Sequence, residues 1–112
     1  PQRELSTLQL APQHLQLLQA LLHTHVPEAQ VWAYGSRVTG GAHEGSDLDL
    51  VLRNPADLQH ELGNWFELKE ALQDSHLHLL VELHLWSHLP ETFHPNIEAA
   101  YVELQAGRSC HA

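Results

Sequence analysis

An α/β domain, with a small mixed sheet and helices packed on its leucine-rich face, is the fold class this sequence predicts. Three observations predict it. Leucines recur at helical spacing in two separate stretches, three other stretches are short and strand-like, and a polar, glycine-rich loop joins two of those strands.

The first helix is expected over residues 11–25. Leu15, Leu18 and Leu22 form a stripe that Leu17 and Leu21 widen, while Gln13, Gln16 and Gln19 fall elsewhere on the circumference. Pro12 suits the first turn, and Pro27 lies beyond the end. Val31-Trp32-Ala33-Tyr34 is β-branched and aromatic and stops at Gly35, as a short strand does. After the polar loop over 36–46, the segment 47–53 alternates, with Leu48, Leu50 and Leu52 opposed to Asp47, Asp49 and Val51. Asn54-Pro55 breaks it.

Asp57 can cap a second helix over 56–73, where Leu58, Leu62, Trp65, Leu68 and Leu72 recur at helical spacing. Gly63 weakens that helix by about 1 kcal/mol relative to alanine. A third strand is expected over 78–86, with Leu79, Val81, Leu83 and Leu85 on one face and Leu80, Glu82, His84 and Trp86 on the other. Past Pro90 the pattern supports a short helix over 93–100 and a short strand over 101–104. Trp65, Phe66 and Phe93 are expected in the core. Trp32 and Trp86 belong either to that core or to a sheet face left open, which could receive a base or a partner.

Size and charge narrow the function classes. The 112 residues are 43% hydrophobic, which suits one domain over 1–112 with a single core. A chain of this length buries roughly 65% of its unfolded surface. The 14 acids against 5 fixed cations give a net charge of −9 with the 11 histidines neutral. Five cations cannot lay a basic track along a nucleic acid, so a polymeric nucleic-acid partner is disfavoured. Cys110 is the single cysteine, which rules out an intrachain disulfide and suits a reducing cytoplasm. No apolar run approaches the roughly 20 residues a membrane span needs, and Pro1-Gln2-Arg3-Glu4 opens no signal-peptide pattern. The expected location is soluble and cytoplasmic.

The chemistry concentrates in Gly35-Ser36-Arg37-Val38-Thr39-Gly40 through Gly45-Ser46-Asp47-Leu48-Asp49. A glycine at a strand end turns the backbone without a Cβ clash, and the neighbouring serine can cap a short helix whose free N–H groups form an anion site. Gly40 and Gly41 are placed to end that helix. Arg37 stands beside the site, as a phosphate contact or as a helix-surface arginine. Asp47 and Asp49, two apart on a strand, project from one face with Cα atoms about 7 Å apart. Like charges that close raise each other's pKa unless a cation lies between them. All-oxygen ligands suit Mg²⁺ or Mn²⁺ rather than zinc. Glu82 is the third candidate ligand, provided its strand pairs beside 47–53. His84 shares the face of Glu82 and can touch the site. A Gly-Ser pair alone is a common turn, and Asp-x-Asp alone is often two exposed acids. Their joint occurrence between two strands is what singles out this segment. The pairs His23-x-His25, His76-x-His78 and His84-x-x-x-His88 complete no four-ligand zinc pattern and are read as mostly surface residues.

The string GSRVTGGAHEGSDLDL resembles the nucleotidyltransferase signature of the DNA polymerase β superfamily. With WAYGSR, SDLDLVLR, VELHLWSHLPETF and IEAAYVELQ, the chain is similar over nearly its whole length to minimal nucleotidyltransferase (MNT) proteins. That resemblance implies a palm-like fold in which Gly35, Ser36, Arg37 and Ser46 bind the nucleotide. It implies that Asp47, Asp49 and Glu82 hold two Mg²⁺ ions, with Mn²⁺ as a substitute. Glu82, standing where relatives usually carry aspartate, would also activate the attacking hydroxyl.

The reaction so implied is transfer of a nucleoside monophosphate, AMP from ATP first among them, onto a hydroxyl. MNT proteins are commonly paired with small all-helical HEPN proteins. In such toxin–antitoxin pairs the MNT member can silence the toxin by modifying a tyrosine, so the resemblance implies a HEPN partner. The small size of the domain argues independently that a second protein encloses the base or selects the acceptor, and homo- or hetero-oligomers are expected. Two alternatives stand beside this reading: a nucleotide-binding module that neutralises a HEPN partner by binding alone, and a transferase for a small hydroxylated molecule.

Overall fold

A computed structural model describes residues 2–4, 7–40, 47–54, 65–75, 77 and 80–106. The strands are β1 (Gln2–Arg3), β2 (Gln30–Tyr34), β3 (Leu48–Arg53), β4 (Val81–Leu85) and β5 (Tyr101–Gln105). The α-helices are α1 (Pro12–His25), α2 (Ser36–Thr39), α3 (Trp65–Gln73) and α4 (His94–Glu98). Two 3₁₀ turns, Trp86–His88 and Glu91–Phe93, lead into α4. Residues 41–46, residues 55–64, which include 56–64 of the second expected helix, and His78 and Leu79 of the third expected strand lie outside the described residues.

The five strands form one mixed sheet in the order β1-β5-β2-β3-β4. β2 runs antiparallel to both β3 and β5, while β3 pairs β4 and β1 pairs β5 in parallel. Period-two alternation gives the sheet two unlike faces. One carries Val31, Ala33, Leu48, Leu50, Leu52, Leu85, Val102 and Leu104, packed against Leu18 and Leu22 of α1 and Leu68 and Leu72 of α3. This is the leucine-rich core that the helical stripes predict. Trp65 packs against it, whereas Phe66, expected inside, is 56% exposed. The two are neighbours on α3, and a stripe that buries Leu68 and Leu72 turns Phe66 outward.

The opposite face is covered, which decides between the two alternatives for its tryptophans. Trp32 and Trp86 are not on an open surface: with Val51 and Ile97 they form a second buried cluster, covered by the segment from the 3₁₀ turns through α4. Trp32 stacks on Tyr101 at 3.9 Å and meets Trp86 edge-on at 5.7 Å. His94 stacks on Trp86 at 3.7 Å, and its Nε2 lies 3.0 Å from the Trp86 carbonyl oxygen. The Arg53 guanidinium lies over both indoles, 3.9 Å from the Trp32 ring and 4.4 Å from that of Trp86. It donates to Gln30 Oε1 at 2.6 Å, and burial lowers its pKa against the opposing pull of Glu98, Tyr101 and Glu103. The expected strand over 78–86 accordingly stops at Leu85, because Trp86 turns to enter this cluster.

Candidate active site

β2 delivers Tyr34 and then Gly35 to the end of the sheet where β3 begins. Gly35 has φ +86°, a conformation costly to any residue with a Cβ. A methyl group placed on it would come within 2.6 Å of Asp49 Oδ2, so the turn also needs glycine for space. The Gly35 carbonyl accepts from the N–H groups of Val38 at 2.9 Å and Thr39 at 3.0 Å. Gly35 therefore occupies the cap position of α2, and Ser36, expected as the cap, is its first helical residue. Gly40 closes the helix at φ +103°, as its position in the sequence suggests.

Arg37, a candidate phosphate ligand, is buried inside the turn. Its Nη1 donates to the Gln9 carbonyl at 2.6 Å while the Gln9 N–H donates to the Arg37 carbonyl at 2.8 Å. This reciprocal pair ties α2 to the segment before α1. Ser46 lies outside the described residues.

The carboxylates meet through strand pairing. β3 and β4 run parallel with Asp49 opposite Glu82, and Tyr34 of β2 lies opposite Asp49 on the other side. Asp47 is exposed and immediately precedes β3. It is near enough that its charge contributes to Asp49. Burial raises the Asp49 pKa first, then the negative charges of Glu82 and Asp47, with His84 pulling the other way. Tyr34 feels the same negative potential: burial, Asp49 and Glu82 together push its phenol up to about 12.

One member of the cluster is not a carboxylate. Asp49, Glu82 and His84 each offer a ligand atom, and these atoms lie within 4.8 Å of one another. His84 Nε2 is 3.7 Å from Glu82 Oε2. A cavity of about 460 Å³ opens beside the cluster, lined by Tyr34, Asp49 and His84 on the sheet and by Phe93 and Asn96 of the covering segment. Sequence parity placed His84 on the Glu82 face. Tyr34 escaped notice, because its place beside Asp49 depends on a register that periodicity does not carry.

A glycine turn opening a short helix beside carboxylates on adjacent strands is the arrangement of a nucleotidyltransferase palm. The family model described as "Polymerase beta, Nucleotidyltransferase" matches residues 16–104, and the chain belongs to that family. It is similar to the probable protein adenylyltransferase MntA of Haemophilus influenzae, 36% identical over 98 residues that cover 88% of this chain and 84% of the relative. Its fold resembles that in a crystal structure of a toxin–antitoxin with AMP-PNP, at a TM-score of 0.66 and 21% identity, covering 84% of this chain and 74% of that one. The chain is a nucleotidyltransferase of adenylyltransferase-like type.

Proposed function

We propose that this protein transfers AMP from ATP onto a hydroxyl of a partner protein, and that the partner is a small helical HEPN-type toxin which the modification silences. The observation that carries the reading is the Asp49–Glu82 pairing on adjacent parallel strands, next to a turn that only glycine can make. The relative's name as a probable protein adenylyltransferase supports the adenylyl group and a protein acceptor. The toxin–antitoxin neighbour with a bound ATP analogue supports the pairing with a toxin.

Asp47, Asp49 and Glu82 would hold Mg²⁺. The fit rests on the donor set: the Asp49 carboxylate, whose pKa is raised by burial and then by the charge of Glu82 beside it, is one that a hard dication stabilises in its ionised form. Bound there, the ions supply Lewis-acid stabilisation of charge on the phosphoryl oxygens. Backbone N–H groups where Gly35 leads into Ser36 orient the triphosphate beside Asp49. Arg37 acts through the Gln9 carbonyl, fixing where α2 begins. Glu82, with a side chain 45% exposed, accepts the proton of the attacking hydroxyl. The acceptor oxygen forms a bond to the α-phosphorus as the bond to the bridging oxygen breaks, and pyrophosphate leaves with that electron pair. The cavity of about 460 Å³ beside Asp49 admits the acceptor side chain or the nucleotide without enclosing either, which leaves selection to the partner.

Incubation with labelled ATP, Mg²⁺ and a purified HEPN-type candidate partner should label that partner. Asp47→Asn with Asp49→Asn should abolish labelling while unfolding cooperatively like the wild type. Unchanged labelling in the double variant would overturn the site. A tight complex that carries no label in the wild type would overturn the transferase reading in favour of neutralisation by binding.

A further inference from the structure

The nucleotidyltransferase reading accounts for Asp49 and Glu82 and leaves His84 without a role. His84 follows Glu82 by two residues on β4, so both side chains leave the same face. In register His84 lies opposite Val51, one pair further along the same face than the Asp49–Glu82 pair. Its imidazole nonetheless turns back toward the carboxylates, bringing one ring nitrogen within 4.8 Å of ligand oxygens of both acids. Two features hold it there. Nε2 stands 3.7 Å from Glu82 Oε2, and the ring lies 6.2 Å from that of Tyr34, tilted by 51°. The same residue borders two cavities, the one of about 460 Å³ beside Tyr34 and Asp49 and another of about 800 Å³ along β4 and α3. A cation between the three groups would be reachable from the cavity beside Tyr34 and Asp49.

We infer that His84 is a ligand of the cation held by Asp49 and Glu82, and that its nitrogen biases the site toward first-row transition dications over Mg²⁺. The inference rests on the nucleotidyltransferase reading of the two acids. Its physical basis is donor chemistry. Mg²⁺ takes oxygen ligands and sheds its water reluctantly, so an imidazole adds little to its binding. Transition dications accept imidazole nitrogen together with carboxylate oxygen, and the softer donor raises affinity for them selectively. Glu82 and His84 then act as a pair from one strand, with Asp49 closing the site from its neighbour. Were His84 only an ion-pair partner of Glu82, removing it would disturb binding of both ion types alike.

Mn²⁺ is the probe, because it reports its own coordination. The full chain is freed of metal with a chelator and titrated with Mn²⁺, following loss of the free-ion electron paramagnetic resonance signal, and Mg²⁺ is then added as competitor. Pulsed measurements on the loaded protein should show coupling of Mn²⁺ to a ¹⁴N nucleus, absent in His84→Gln and in His84→Asn. Both variants should weaken Mn²⁺ binding by about tenfold, a loss typical for a disturbed ligand set, and Mg²⁺ binding by less than about twofold. Thermal unfolding of the two variants controls for the fold, and agreement between them separates ligand loss from a local packing defect. Tight Mn²⁺ binding without nitrogen coupling, or equal losses for the two ions, would overturn the role of His84 and leave the carboxylate site standing. Failure of the wild type to bind Mn²⁺ even with a non-hydrolysable ATP analogue would overturn both.

Discussion

Gly35 does two jobs that no other residue could share. Its φ of +86° excludes side chains on backbone grounds, and Asp49 Oδ2 fills the space where a Cβ would stand. Gly35→Ala should therefore destabilise the domain by about 2 kcal/mol, the usual cost of a side chain in a left-handed or strained position. It should also push Asp49 off its place beside Glu82. Urea unfolding measures the first effect and Mn²⁺ binding the second, and an alanine variant matching wild type in both would show that the turn relaxes freely. Arginines carry the opposite lesson at this scale. Arg37 looked available to phosphate from its neighbours in sequence, yet it is buried and bound to the Gln9 carbonyl. Arg53 carried no sequence signal at all, and it ends up across two indole faces.

Elements reveal themselves in proportion to how local their causes are. The leucine stripes of α1 and α3 were legible because amphipathic helices repeat their apolar positions along the chain itself. Of the covering segment from Trp86 to Glu98 only the short helix expected over 93–100 was legible, and it is found as His94–Glu98, whereas the 3₁₀ turns before it are too short for periodicity to accumulate. What holds it down is packing. Ile97 is fully buried between this segment and the sheet, so Ile97→Ala should cost about 2–4 kcal/mol in denaturant unfolding. Phe66→Ala, on an exposed side chain, should stay within about 0.5 kcal/mol. A reversed order of those two losses would mean that the second cluster is not a core. The segment also supplies one wall of the cavity beside Asp49 through Phe93 and Asn96, so loosening it should widen access to Asp49.

Across the whole molecule, a surplus of acids shapes the dependence of stability on pH. Asp49 has its pKa raised by burial and by its acidic neighbours, so in the metal-free protein the folded state favours its protonated form. A raised acid holds more protons folded than unfolded, and stability falls as pH rises from the ordinary carboxylate pKa through the raised one. Melting temperatures compared at pH 4 and pH 7 without metal should show Asp49→Asn gaining on wild type at the higher pH. No such gain would mean that the Asp49 carboxylate is not strained by its setting. Tyr34 adds a second loss of the same sign at alkaline pH, between its ordinary 10.0 and about 12. Among the described residues no helix is long and apolar enough to cross a membrane, in keeping with the composition.

The sequence by itself determined the class of chemistry, since Gly-Ser followed by Asp-x-Asp between two strands is a local pattern whose spacing is the signal. It also determined α1, the described part of the second helix and which strand face is leucine-rich, because those follow from 3.6- and two-residue periods. Only the tertiary structure decided that β4 lies beside β3 in the register setting Glu82 against Asp49, that Tyr34 flanks them, and that His84 turns into the cluster. The aromatic face was likewise decided there, with Trp32 closed under a segment far from it in the chain that brings Trp86 and Ile97. The reason is physical. Hydrophobic period selects the face a side chain takes, but which strand lies next and in what register depends on how whole faces pack, and no local stretch of chain encodes that alone.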